Sequence, residues 1–213
     1  MLLYSYWRST TAYRVRIALA LKGLHYDTQA VDLARGDQLD ADYAKVNPIA
    51  GVPTLVLDDG LVLTQSMAIL DYLDRTHPSP PFVPEDPFAA AQVRAAAFVI
   101  ACDIHPVNNL RVGARLKIMG HEKAEVVRWM TYWMQQGLSA YHQLLPAGPA
   151  LSFADTPTLA DLCLIPQLYN ARRWGMDLTG LDRLTEIEHR CLALPGFAQA
   201  HPEAQSDAPK ELS

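Results

Sequence analysis

The ten residues Trp7-Arg8-Ser9-Thr10-Thr11-Ala12-Tyr13-Arg14-Val15-Arg16 decide the reading of this chain. They lie where an opening apolar strand, Met1 to Tyr6, gives way to a helix read over Ala12 to Leu21. That helix is apolar almost all round, which marks it for burial, and Gly23 stops it. Three hydroxyls fall in a row at its start, with arginines on either side. A helix N-terminus presents unpaired N–H groups and a partial positive charge. Hydroxyls placed there either cap the helix or hold an anion, a thiolate included.

Outward from this stretch, short strand and helix signals alternate. Tyr26 to Val31 reads as a second strand and Gln38 to Val46 as a short helix. Thr54 to Leu57 and Leu61 to Thr64 read as strands joined by a tight turn at Asp59-Gly60. Ser66 is predicted to cap a helix running through Leu73 and ending near His77-Pro78. The order βαβ, α, ββα makes an α/β layer with a mixed sheet. Pro78, Pro80, Pro81, Pro84 and Pro87 then read as a semi-rigid linker. The sequence beyond it is helical in pattern, with long helices over Phe88–Met119 and Glu122–Leu145. Val126, Met130, Trp133, Gly137, Tyr141 and Leu144 share one face of the second. A third helix opens at Thr158-Leu159-Ala160-Asp161, which has capping-box spacing with Asp in place of Glu. The expected organisation is an α/β domain over residues 1–80 and an all-α domain over 87–213.

Composition narrows the function classes. The chain has 213 residues, half of them apolar, and a formal net charge of −5 without a long basic run, so nucleic acid is not the expected partner. No signal peptide and no membrane-spanning apolar run are expected. Cys102, Cys163 and Cys191 are an odd number set far apart, which suits a reducing cytoplasm. Neither C-x-x-C nor H-E-x-x-H occurs, and no metal site is expected.

Several further positions have the chemistry of a ligand site. Val52-Pro53-Thr54 leads into a strand; a cis bond there would turn the Val52 N–H and C=O outward to pair with an extended peptide. Gln65-Ser66 at a helix start suits a carboxylate. With Gln38, these features fit a small acidic peptide. In the helical half, Pro106 interrupts a helix, and His105, Asn108 and Asn109 share one face near Arg111. This cluster reads equally as a satisfied polar kink or as a ligand-facing group. Arg172 and Arg173 close the third helix, where they meet its dipole favourably.

The order of strand-helix, Val-Pro, Gln-Ser, proline linker and helical half resembles the cytosolic glutathione transferases across essentially the whole chain. Arg8-Ser9-Thr10-Thr11-Ala12-Tyr13-Arg14-Val15-Arg16-Ile17-Ala18-Leu19 is similar to the zeta-class signature R-S-S-C-x-W-R-V-R-I-A-L. Asn47-Pro48, Val52-Pro53-Thr54-Leu55, Gln65-Ser66 and Thr156-Pro157-Thr158-Leu159-Ala160-Asp161 match as well. The resemblance implies a thioredoxin-like N-terminal domain with a four-stranded mixed sheet, an all-α C-terminal domain and a homodimer. It implies a glutathione-dependent cis–trans isomerase of a maleyl-type dicarboxylic keto acid, maleylacetoacetate or maleylpyruvate, in aromatic catabolism. By position, Ser9 would stabilise the glutathione thiolate. Val52, beside Pro53, would pair with the cysteinyl backbone. Gln65 and Ser66 would hold the γ-glutamyl end, and Gln38 the glycyl end. His105, Asn108 and Asn109 would face the cofactor, and Arg8, Arg111 and Arg173 would hold substrate carboxylates. Thr11 stands where the signature has cysteine and is assigned a positioning role. The alternatives are a glutathione transferase conjugating or dehalogenating small α-halo acids, and a non-catalytic glutathione-binding protein of the same fold.

Overall fold

The computed structural model describes residues 1–210. The chain forms two compact units: Met1–Pro81 together with the segment from Leu192 onward, and Phe82–Cys191.

In the first unit, β1 (Leu2–Ser5) leads into α1 (Thr10–Leu21), β2 (Asp27–Ala30), a 3-10 turn at Asp37–Leu39 and α2 (Ala41–Val46). Then come β3 (Thr54–Val56), β4 (Val62–Thr64) and α3 (Ser66–Thr76). The sheet order is β2-β1-β3-β4, with β1 parallel to β2 and antiparallel to β3. Leu3 pairs with both Thr28 and Leu55 at the centre and is fully buried. The expected β-turn joins β3 to β4, with Gly60 at φ 85°, a conformation glycine adopts without steric cost.

Every residue of α1 from Ala12 to Leu19 is buried, as its all-round apolar pattern requires. It packs on α3 and on α9 (Pro195–Ala200). Lys22, just past its end, donates to Asp74 at 3.1 Å and to the carbonyls of His77 and Pro80, closing the unit where the proline-rich stretch begins.

The expectation that the helical domain runs from 87 to the end is corrected. The segment from Leu192 belongs to the first unit. Arg16 reaches the Ala200 carbonyl at 3.1 Å, and the Asp207 carboxylate accepts from the Trp7 N–H at 2.8 Å.

The second unit holds α4 (Pro87–Phe98), α5 (Leu110–Ile118), α6 (Lys123–Leu144), α7 (Leu159–Arg173) and most of α8 (Asp182–Leu192). The single helix expected over Phe88–Met119 is broken. A π-turn covers Val99–Ile104, and Pro106, which has no N–H, follows before α5 starts. The stretch Pro87–Ile104 is long and apolar enough to cross a bilayer by length and composition, but Gln92, Arg94 and Asp103 interrupt it, and it packs against α6 and α7.

The buried face of α6 is Val126, Met130, Met134, Leu138 and Tyr141, so Met134 and Leu138 replace the expected Trp133, Gly137 and Leu144. Gly137 is used differently: a Cβ there would collide with the Ile104 side chain. Cys163 and Cys191 are buried, and burial pushes the Cys191 thiol well up, but Cys102 is exposed on the π-turn rather than in the core.

The capping box at α7 forms as the spacing predicts. The Asp161 carboxylate accepts from the Thr158 N–H and hydroxyl, both at 2.8 Å, and from the Ser152 N–H at 3.0 Å. All of these groups are buried, so removing the carboxylate strands three donors without water. Asp161→Ala is expected to destabilise the protein by about 2–4 kcal/mol, read as a fall of roughly 5–10 °C in Tm by calorimetry.

Candidate functional site

Ser9 is the N-cap of α1, and its Oγ accepts from the Ala12 N–H at 3.2 Å. The same oxygen lies 3.0 Å from Thr11 Oγ1, which donates to the Val52 carbonyl at 2.8 Å. Thus the cap and the loop ahead of β3 are tied by two hydroxyls. Arg8 precedes the cap, half-buried, its guanidinium 5.3 Å from the Trp7 ring centroid and 6.0 Å from that of Tyr6. Stacking on Trp7, which is itself buried, restricts where this cation points.

The loop bearing Val52 is shaped from beneath. Asn47 Nδ2 donates to the Gly51 carbonyl at 2.8 Å and to Thr54 Oγ1 at 2.9 Å, and the Tyr43 hydroxyl donates to Gly51 at 2.6 Å. Burial pushes the Tyr43 phenol up, so it remains a donor. The Val52–Pro53 peptide bond is cis. The Val52 carbonyl accepts from Thr11, and its N–H has no hydrogen-bond partner among the described residues.

Gln65 and Ser66 do not divide the work as expected. Gln65 is the N-cap of α3, and Ser66 is its first helical residue. Gln65 takes φ 66°, a left-handed conformation that is costly for a residue with a Cβ and that clusters at ligand sites. The Ser66 hydroxyl is not spent on capping and instead accepts from Arg14 Nη1 at 3.3 Å.

Arg14 is the residue that sequence reasoning missed. It is 1 % exposed, and its Nε and Nη2 have no partner among the described residues. A buried cation with open donors behind a helix N-terminus is an incomplete anion site. The signal was present in the sequence: an arginine inside a helix that is otherwise apolar all round must be buried. Gln38, on the 3-10 turn, likewise has a buried Oε1 without a partner. These orphaned groups, with the unpaired Val52 N–H, fit a ligand that carries a carboxylate and a peptide backbone.

In the second unit the polar cluster is partly self-satisfied, although the buried Asn108 Oδ1 has no partner among the described residues. Asn108 is buried and donates to the Met130 carbonyl at 3.1 Å. Asn109 caps α5 by accepting from the Arg111 N–H at 3.1 Å, and its amide lies 3.4 Å from His105 Nε2. Arg111 is exposed. Arg172 pairs with Glu188, its Nε 3.1 Å from the carboxylate. Arg173 lies inside the last turn of α7, donates to Asn170 Oδ1 at 2.9 Å and stacks 5.0 Å from the Trp174 ring centroid.

Residues 1–75 match the model of the glutathione S-transferase N-terminal domain. The chain is 43% identical to a maleylacetoacetate isomerase of Pseudomonas aeruginosa, over 98% of this chain and 99% of that protein. It is 41% identical to a maleylpyruvate isomerase of a Ralstonia species, over 98% and 100%. A holo structure of a bacterial zeta-class maleylpyruvate isomerase superposes with a TM-score of 0.95 at 40% identity, covering 98% of this chain and all of that one. A maleylacetoacetate isomerase of Anaeromyxobacter dehalogenans with bound glutathione in its active site gives 0.88 at 42% identity, over 98% and 97%. The chain belongs to the zeta-class glutathione transferase family.

The incomplete pairing of Arg14 has a measurable cost. Replacing it by an uncharged side chain of similar length, Arg14→Met, is expected to leave the ligand-free protein as stable as before or more stable by about 1–2 kcal/mol in urea unfolding. A loss of several kcal/mol would mean that Arg14 is fully paired in the free protein.

Proposed function

We propose that this chain is a glutathione-dependent cis–trans isomerase acting on a maleyl-type keto acid, maleylacetoacetate or maleylpyruvate. The observation that carries this reading is the α1 N-terminus, where the Ser9 hydroxyl, the Thr11 hydroxyl and the Val52 peptide meet within 3.0 Å steps. Glutathione, when bound, supplies a thiolate whose reversible addition to the C=C bond lets that bond rotate, so the cofactor is returned.

The work of this chain's residues is to hold that thiol as an anion. Lowering its pKa by two would take about 2.7 kcal/mol. One charge-assisted hydrogen bond from Ser9 supplies about 1.5–3 kcal/mol, and the α1 terminus about 0.3–1 kcal/mol more. The Val52 N–H and C=O pair with the cysteinyl backbone. Ser66, Gln65 and the α3 terminus hold the γ-glutamyl group, with the Arg14 charge behind them, and Gln38 meets the glycyl end. His105, Asn108 and Asn109 are assigned to the cofactor, with both asparagine side chains already engaged in shaping the helical unit. Arg8, Arg111 and Arg173 are assigned to substrate carboxylates, for which the planar guanidinium is suited.

A dicarboxylate substrate is supported by the relatives. One maleylacetoacetate isomerase structure holds malonate and glutathione, and another holds dicarboxyethyl glutathione and citrate. The free thiols support a cytoplasmic location, and membership of the family supports a homodimer.

Two variants test the division of labour. Ser9→Ala is expected to lower kcat/KM by on the order of a hundredfold or more. Arg8→Ala is expected to lower turnover of maleyl substrates about tenfold while glutathione affinity stays within about twofold. Near-native turnover of Ser9→Ala would remove Ser9 from the thiolate role, and collapse of glutathione binding in Arg8→Ala would remove Arg8 from the substrate role.

A further inference from the structure

We propose that Thr11 is a positioning residue whose hydroxyl proton changes acceptor when the Val52 carbonyl is engaged by a ligand's peptide N–H, and that this change frees the Ser9 proton for the bound thiolate. The proposal rests on the reading of Ser9 as the thiolate's donor.

Each of the two hydroxyls owns one proton. Thr11 Oγ1 is 2.8 Å from the Val52 carbonyl oxygen and 3.0 Å from Ser9 Oγ. A carbonyl oxygen only accepts, so the contact with Val52 uses the single Thr11 proton. The contact with Ser9 then has one assignment left, in which Ser9 donates and Thr11 accepts. Ser9 Oγ also accepts from the Ala12 N–H at 3.2 Å. The donor chain therefore runs Ser9 to Thr11 to Val52. In that order Ser9 offers an incoming anion lone pairs and no proton, which is the wrong polarity for a thiolate.

Engagement of the Val52 carbonyl by an outside N–H weakens its hold on Thr11. The Thr11 hydroxyl then turns onto Ser9 Oγ along the same 3.0 Å line, and the Ser9 proton, displaced from that line, becomes available to the anion. Both hydroxyls keep their own protons; only two rotors turn. The reversed chain, Thr11 to Ser9 to anion, has every hydrogen bond polarised in one sense, which strengthens the last of them. Recognition of the peptide at Val52 is thereby coupled to stabilisation of charge at Ser9. A thiol at position 11, as in the signature R-S-S-C, is a weak donor and would transmit little of this.

The test reads the ultraviolet thiolate band of bound glutathione against pH, with affinity measured separately by calorimetry. Thr11→Val, which keeps shape and loses the hydroxyl, is expected to lower the bound thiolate fraction about three- to tenfold at a pH below the bound pKa. Thr11→Ser is expected to restore it. With unmodified protein, a glutathione methylated on its cysteinyl nitrogen has no N–H for Val52 and is expected to show the same low fraction. An unchanged or increased thiolate fraction in Thr11→Val, or a native fraction with the methylated analogue, overturns the proposal. Ser9→Ala separates the two levels. If it leaves the thiolate fraction unchanged, the Ser9 reading fails; if it lowers the fraction while Thr11→Val does not, only the relay fails.

Discussion

The buried guanidinium of Arg16 is the constraint on which the rest of the first unit depends. It is 0% exposed, and a cation in that position is tolerable only when its N–H groups are paired. It donates to Ser5 Oγ at 3.0 Å and to the carbonyls of Tyr6, Trp7 and Ala200 at 3.4, 2.9 and 3.1 Å. Meeting those demands turns the backbone of Tyr6 and Trp7 inward, and that inward turn sets where α1 begins. Ser9 and Arg8 are placed as a consequence. The demand on Ala200 draws the C-terminal segment onto the same turn, and Asp207 then takes the Trp7 N–H. A site loop is thus held by groups nearly two hundred residues apart in sequence.

Arg14 lies two positions before Arg16 and therefore on the other side of the helix. Its burial is equally complete, yet among the described residues one hydrogen bond, to Ser66, is its share. The contrast separates fold from function within one turn of α1. Arg16 is satisfied by the protein and builds the turn. Among the described residues Arg14 is left short of partners behind the α3 terminus, where an anion would complete it. Gln65, held in a left-handed conformation at that terminus, is a second local cost accepted at the same place. Proteins break local rules of this kind where a ligand repays them.

Much of this was legible in the sequence because it is local. The hydroxyl run at Ser9, the Asp59-Gly60 turn and the Thr158–Asp161 capping box each announce themselves within four residues, and the structure forms all three. The mixed sheet followed from strand order. The features that escaped are those decided by distant partners. Ser66 looked like a cap, but Arg14 claims its hydroxyl. The C-terminal residues looked like more helical domain, but Arg16 and Trp7 recruit them. The apolar run from Phe88 continued through Val99–Ile104 in pattern, yet the backbone there adopts a π-turn, and periodicity does not report such a change. The buried face of α6 runs through Met134 and Leu138 rather than Trp133 and Leu144, and Gly137 beside it marks the close approach of Ile104.

The central claim is that the Ser9 edge activates a thiol that is used and returned, which distinguishes an isomerase from a conjugating or dehalogenating transferase built on the same fold. The direct measurement supplies a maleyl keto acid in large excess over glutathione, follows the fumaryl product to completion and titrates free thiol at the end. The account predicts full conversion of the substrate with the thiol recovered. Loss of thiol in step with substrate, or conversion that stops when the glutathione is spent, would contradict it.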